Sequence, residues 1–231
     1  MTAAKPRRGR PAVLDRAMVV AAGLELVDEE GLAELSMRRL GSRLGVEAMA
    51  LYRYVPGKDD LLDAIVGLLV AELDDDPEVL IEPSGGWQDF VRRLAHGVRR
   101  VALRHPTAFP LLASRPPEAP WLRPPLRSLT WVERLISGLV SEGFDDEAAV
   151  GAYRAFSSFL LGHLLLEASS VGGGAASPLD LIDEAPRESL ADYPELRRLR
   201  GSLSDDRGGE EFEESLENLL QRVEEMARRS G

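Results

Sequence analysis

Residues 36–63 read SMRRLGSRLGVEAMALYRYVPGKDDLLD, and the way this stretch folds decides the rest of the chain. Ser36 is placed to cap a helix over 37–44, which Gly45 would end. A second short helix fits residues 47–53, and Pro56-Gly57 breaks the chain before a long helix running from about Lys58 to Leu73. Isolated helices shorter than ~12 residues are marginal in water, so these two short segments must be held by packing. Gly41, Gly45 and Leu51 lie four and then six residues apart. A tiny residue lets two helices approach, a glycine at the turn takes a left-handed backbone, and an aliphatic residue on the second helix plugs the gap. Leu40, Leu44, Val46 and Val55 complete the buried side. That spacing is the spacing of a helix-turn-helix, here over residues 36–55.

Glu47, Ala48, Met49, Ala50, Tyr52, Arg53 and Tyr54 are left facing outward. The small or flexible apolar residues Ala48, Met49 and Ala50 suit close approach to base edges and thymine methyls. Tyr52, Tyr54 and Lys58 can reach phosphate oxygens, and the start of the long helix offers free N–H groups to another. On this reading the second helix is short because only its tip enters DNA. The competing readings are a structural helical corner, or an all-helical module whose head binds another protein.

Working outward, the net charge of −11 argues against nucleic acid when read alone. Its distribution reverses the argument. Residues 1–60 carry ten Lys/Arg against nine Asp/Glu, whereas residues 61–231 carry 18 against 30. Exposed charges are screened beyond roughly 8 Å at physiological salt, so a basic end on an acidic body can still grip phosphate. Apolar spacing is helical nearly everywhere, with no sustained period of two. Asp15 caps a first helix that Gly31 ends. Residues 74–86 look like an acidic linker. Trp87, Val91, Leu94, Val98, Val101 and His105 draw one apolar stripe on a helix ending before Pro106. Further helices are expected over about 121–142, 145–169 and 209–229, with a loop over 171–190. The stripe Phe212, Leu216, Leu219, Val223, Met226 has the a/d spacing of a helix-pairing seam, and Ala149, Tyr153, Phe156, Leu160 and His163 give a comparable face.

Enzyme classes find little footing. The chain has no cysteine, no phosphate loop, no His-x-x-x-His pair and no glycine-flanked nucleophilic serine. The basic N-terminus lacks the apolar segment of a secretory signal. The apolar run 156–168 is too short to span a bilayer, so a cytoplasmic protein without membrane partners is expected.

Residues 14–65 resemble the TetR (tetracycline repressor) family of transcriptional regulators, above all in LYRYVPGKDDLL. Residues 86–106 and 142–167 resemble, more weakly, the ligand-binding core of its tetracycline-repressor branch. The resemblance implies an all-α protein: a three-helix DNA-binding head within residues 13–73, then a helical ligand-binding and dimerisation domain over 87–229. It implies a homodimer on double-stranded operator DNA, built from the helices over 145–169 and 209–229. Arg38 would touch a base or nearby phosphate. Ala48, Met49 and Ala50 would face bases, and Tyr52, Tyr54 and Lys58 would hold phosphates. Arg53 stands where tetracycline repressors have an aromatic residue, so operator sequence does not transfer. KPRRGRPA (5–12) resembles a minor-groove arm. Tetracycline repressors bind a drug–magnesium chelate through a histidine; the corresponding TAFPLLASRP (107–116) has none, and Glu167 alone does not make a metal site. No cofactor or metal is therefore expected. Phe109, Trp121, Trp131, Phe156, Phe159 and His163 are the candidates to surround a small hydrophobic effector. His105 is expected to cap the end of its helix, and His96 to lie at the surface.

Overall fold

The computed structural model describes residues 14–80, 85–114, 119, 121–124, 128–171 and 192–230. Helices and turns account for all regular structure among them. The head begins with α1 (Arg16–Glu30), where the Asp15 carboxylate accepts from the Met18 N–H at 2.8 Å. Gly31 at φ 93° stops it, and a 3-10 turn (Leu32–Glu34) leads to α2 (Met37–Leu44). Ser36 Oγ accepts from the Arg39 N–H at 3.2 Å. Gly45, at φ 68°, closes α2 in the left-handed conformation, and the Val46 N–H reaches back to the Gly41 carbonyl at 2.9 Å. One turn of helix, α3 (Ala48–Leu51), then follows; residues 52–54 form turns, so this helix is shorter than the expected 47–53.

The close approach of α2 and α3 is made by backbone. A methyl group on Gly41 would stand 2.8 Å from the Val46 carbonyl oxygen and 3.2 Å from the Ala48 nitrogen. Leu40, Leu51 and Val55 are fully buried beneath this elbow, against Val19, Leu26 and Val27 of α1 and Leu61 and Ile65 of α4 (Lys58–Asp74). Val101, Ala108 and Leu111 from beyond residue 86 belong to the same cluster, so α4 is sandwiched between head and body.

In the body, residues 74–86 are not wholly irregular: α5 (Pro77–Leu80) forms, and Val79 is buried. Next come α6 (Gly86–Arg104) and α7 (Leu111–Ser114). The helix expected over 121–142 begins only at Leu129, as α8 (Leu129–Ser141), capped by Ser128 Oγ. Proline lacks the N–H that a helix interior needs, and the prolines at 120, 124 and 125 delay the start. The segment before it is instead pinned where Tyr153 Oη donates to the Pro124 carbonyl at 2.6 Å.

The next helix, α9 (Asp146–Val171), packs on α6, α8 and α11 (Gly208–Ser230). It runs well past the apolar stretch 156–168, and by length and composition it could cross a membrane. Its composition has a simpler cause: it is covered by three neighbouring helices. Residues 172–191, hence nearly all of the expected loop, lie outside the described residues, as does the basic arm 5–12. A helix that the sequence reading missed, α10 (Pro194–Ser204), precedes α11. It buries none of its residues, so its pattern carried no core signal.

Both seams expected to meet a partner subunit are occupied within the chain. Phe212, Leu216, Leu219 and Val223 are buried, as are Ala149, Tyr153, Phe156 and Leu160, and all belong to the body's own core. An a/d stripe states that a helix has a neighbour, not whose neighbour it is. The strip beside it stays open: Gly151, Arg154, Ala155, Ser158, Ser215 and Arg222 border a surface concavity between α9 and α11.

Candidate nucleic-acid interface and effector cavity

The head presents Met49 at 75% and Tyr52 at 43% exposure, unusual for such large apolar or aromatic side chains. Arg38, Arg53 and Lys58 are exposed in the same stretch, while Ala48, whose backbone lies against Gly41, and Ala50 are half-buried. Tyr54 also turns halfway inward and packs on the head core, with the Arg53 guanidinium 5.9 Å from its ring centroid.

Not all of the basic cluster is available for phosphate. Arg39 pairs with Glu30 at 2.6 Å and with Glu34, and Arg43 takes Glu29 through two N–H groups at 2.6 and 2.8 Å and Glu25 at 3.2 Å. The Arg43 contacts hold the Glu29 carboxyl below its usual range and push the guanidinium up. These pairs tie α2 to α1. Among the described residues no carboxylate lies within ion-pair distance of Arg38, Arg53 or Lys58. The start of α4 has no side-chain cap, yet Asp59 and Asp60 occupy its first turn. A phosphate there would meet two carboxylates as well as Lys58.

A cavity lies in the body directly behind α4, with ≈ 90 Å³ of room for water-sized molecules. Leu69, Val70 and Leu73 of α4 form one wall, Leu94, Val98 and Val101 of α6 another. Phe109, Leu112, Trp131, Leu135, Phe156, Leu160 and Leu161 close it, with Ser128 at one end. No lining side chain is charged. Three of the six effector candidates, Phe109, Trp131 and Phe156, therefore meet around this space. The other three do not. Trp121 is 78% exposed in the segment that fails to become helix. Phe159 and His163 surround Phe212 instead, with ring centroids at 5.8 and 5.3 Å.

Glu167 is engaged away from the cavity, accepting from Arg99 at 2.5 Å, and Arg99 lies 5.0 Å over the Phe212 ring. His96 sits half-exposed beside Glu213, 3.6 Å away, and edge-on to Phe212. Among the described residues no cluster of His, Asp or Glu could hold a metal ion. The sequence suggests the fourth helix as the link between pocket and head, but singles out none of its wall residues, although LLDAIVGLLV (61–70) is apolar on more than one face and so must be covered twice.

His105 is the C-cap residue of α6, its N–H donating to the Val101 carbonyl at 3.0 Å, and its side chain does more than that. Its Nδ1 lies 2.6 Å from Asp28 Oδ2 on α1 and its Nε2 2.9 Å from Glu72 Oε1 on α4. Arg104 holds the other Glu72 oxygen at 2.7 Å. Facing two carboxylates, first of all Asp28, the imidazole is pushed above its ordinary pKa despite its burial. The residue joins head, α4 and body at one point.

Comparison with known proteins fits this layout. Residues 19–65 match the model for bacterial regulatory proteins of the tetR family, and residues 81–227 match that for the tetracyclin repressor-like C-terminal domain. The chain belongs to the TetR family. It is 31% identical to the class D tetracycline repressor protein of Escherichia coli over 91% of this chain and 89% of that one. A possible TetR-family transcriptional regulator from Streptomyces coelicolor A3(2) superposes with a TM-score of 0.74 at 31% identity, covering 91% and 98% of the two chains. ActR from Streptomyces coelicolor, solved in complex with actinorhodin, gives a TM-score of 0.69 at 27% identity over 94% and 99%. This TetR-family protein is thus a repressor-type transcriptional regulator and not an enzyme, with a helix-turn-helix head ahead of a helical C-terminal domain.

Proposed function

We propose that this TetR-family regulator is a cytoplasmic repressor that leaves a palindromic operator when a small hydrophobic effector fills the cavity behind α4. The observation that carries the proposal is the double duty of one helix. α4 begins at Lys58 beside the DNA-facing tip, and its residues Leu69, Val70 and Leu73 wall the cavity. Any molecule seated there pushes on the element that positions the head, within residues 13–73, relative to the body, within 87–229. ActR, similar over nearly its whole length, was solved in complex with actinorhodin, which supports an effector-binding role for this chain.

Arg38 and the outward residues of the elbow, Ala48, Met49, Ala50, Tyr52 and Arg53, are the proposed DNA contacts, with Tyr54 and Lys58 fixing the position on the backbone. Two copies are proposed to pair through the open strip of α9 and α11 that includes Arg154, Ser158 and Arg222. Such a dimer would set two recognition tips ~34–36 Å apart, one duplex turn. An effector that prefers the wider arrangement by about 1–3 kcal/mol would lower operator affinity by about 5–150-fold.

The test is a gel-shift titration on a fragment selected from random duplex DNA by the wild-type protein. Tyr52→Ala and Lys58→Ala are each expected to weaken binding about tenfold, and Lys58→Ala to reduce the slope of log affinity against log salt by about one. Unchanged binding in both variants would remove the proposal. So would salt-independent binding, which would favour a protein-interaction head.

A further inference from the structure

Where head, α4 and body meet, one imidazole faces two carboxylates from different helices. His105 Nδ1 lies 2.6 Å from Asp28 Oδ2 on α1, and its Nε2 lies 2.9 Å from Glu72 Oε1 on α4. Ionised carboxylates only accept, and a neutral imidazole has a single N–H. Both contacts can therefore be hydrogen bonds together only while His105 carries its second proton. The two arms are unequal. The Asp28 contact is the shorter, and the other Asp28 oxygen is buried with no hydrogen-bond partner, so this carboxylate depends on His105. Glu72 also has Arg104 of α6 at 2.7 Å. The residues that follow, 106–110, add no titratable group. When the second proton leaves, the remaining N–H stays with Asp28 and the Glu72 arm opens. The exposed Arg104 pair, which solvent screens, is left to tie Glu72 to α6.

The same elements form the cavity. Glu72 directly precedes Leu73 of its α4 wall, and His105 lies one turn beyond Val101 of its α6 wall. The N–H of Phe109, another wall residue, donates to the His105 carbonyl at 2.8 Å. A ligand seated between Leu69, Leu73, Val101 and Phe109 spreads the elements that the imidazolium draws together. Resting on the effector-site reading above, we infer that His105 is a proton site opposing the effector: protonated, it holds α4 to the end of α6 and favours the operator-binding arrangement, and deprotonated, it yields α4 to the ligand. Proton and effector then compete through one junction, and each weakens the other by the same factor. With two carboxylates facing the ring, the changeover lies above the ordinary histidine value near 6.5.

The probe is 2-ethylnaphthalene, which has no titratable group of its own. Its affinity is measured by calorimetry on the full-length protein at pH 6 and pH 9, for wild type and for His105→Gln. Wild type is expected to bind it about tenfold more weakly at pH 6 than at pH 9. His105→Gln, which has no proton to lose there, is expected to bind it equally at both within a factor of two. Should His105→Gln fold poorly, the wild-type protein answers the question through the ring Cε1–H resonances. The chain has three histidines, and His96→Gln and His163→Gln assign the other two. Saturating probe should move the His105 titration midpoint to lower pH, because linkage is reciprocal. The same pH dependence in wild type and His105→Gln, tighter binding at pH 6, or a midpoint that the probe does not move would each overturn the inference while leaving an apolar effector site in place. No binding of the probe at either pH would overturn both.

Discussion

The α2–α3 elbow and the cavity behind α4 are built on opposite principles. In the elbow, backbone meets backbone: the space a methyl group on Gly41 would need is filled by the Val46 carbonyl and the Ala48 nitrogen. Around the cavity, aliphatic and aromatic side chains face empty space. Backbone cannot move aside without undoing a helix, whereas side chains can change rotamer or identity. One family can therefore keep a single reading head while its effector sites diverge. The contrast predicts where substitutions will hurt.

The largest effect should come from Gly41→Val. The added Cβ alone would be forced against a carbonyl oxygen and a peptide nitrogen, and valine brings two methyl carbons more, with a cost of about 3 kcal/mol. Thermal unfolding followed by circular dichroism should show an early loss confined to the head, with operator binding abolished. Retention of both would mean that the elbow yields more than its geometry implies.

This asymmetry also sets what could be read in the sequence. The elbow was legible because each of its requirements is met by a particular residue type at a fixed spacing: Ser36 to cap, Gly41 to admit, Gly45 to turn, Leu51 to plug. The body's requirements are met by any apolar residue of suitable size. Trp131 and Phe156 shared the same helical spacing signal as Phe159, Phe109 sat in a short turn segment between helices, and nothing local separated cavity wall from core. The α11 stripe was visible, but burial by α9 of the same chain and burial by a partner leave the same pattern. The side-chain partners of His105 escaped notice for a third reason. Its partners Asp28 and Glu72 lie 77 and 33 residues away in sequence, and no periodicity links them.

His105 offers the second way to press on the comparison, since it holds head to body. His105→Gln removes the imidazolium between Asp28 and Glu72, and charge-assisted contacts of this kind contribute about 2 kcal/mol. The sign of the pH dependence follows from the direction of the shift. The folded-state pKa is raised above the ordinary value near 6.5, so the stabilisation is fully present below that value and is lost as pH rises through the raised one. Denaturant midpoints should therefore separate wild type from His105→Gln at pH 6 and converge by pH 9. A gap that widens with pH would show that the imidazole acts neutral.

Gly45→Ala comes next. The left-handed backbone at φ 68° costs a residue with a Cβ about 1 kcal/mol, and nothing within 4 Å of the new methyl group adds a clash. The same measurement as for Gly41→Val should give a head that unfolds slightly earlier and still binds DNA. The two glycines of one elbow would thus separate a steric requirement from a conformational one.

The smallest effect on stability is expected on the other side of the comparison. Leu160→Met replaces a buried wall residue by one of similar volume and greater flexibility, beside a space that already accommodates rotamer changes. Volume-conserving swaps of this kind cost less than about 1.5 kcal/mol even in filled cores, and the adjoining cavity should hold the loss below about 1 kcal/mol. Affinity for a small apolar probe such as 2-ethylnaphthalene should nevertheless change, because the methionine thioether redraws the wall that the ligand touches. A change in ligand affinity at nearly constant stability, set beside the collapse expected from Gly41→Val, would show that one half of the chain is free to vary where the other is not. A large loss of stability from Leu160→Met would place the cavity wall under the same constraint as the elbow, and the proposed division between them would fail.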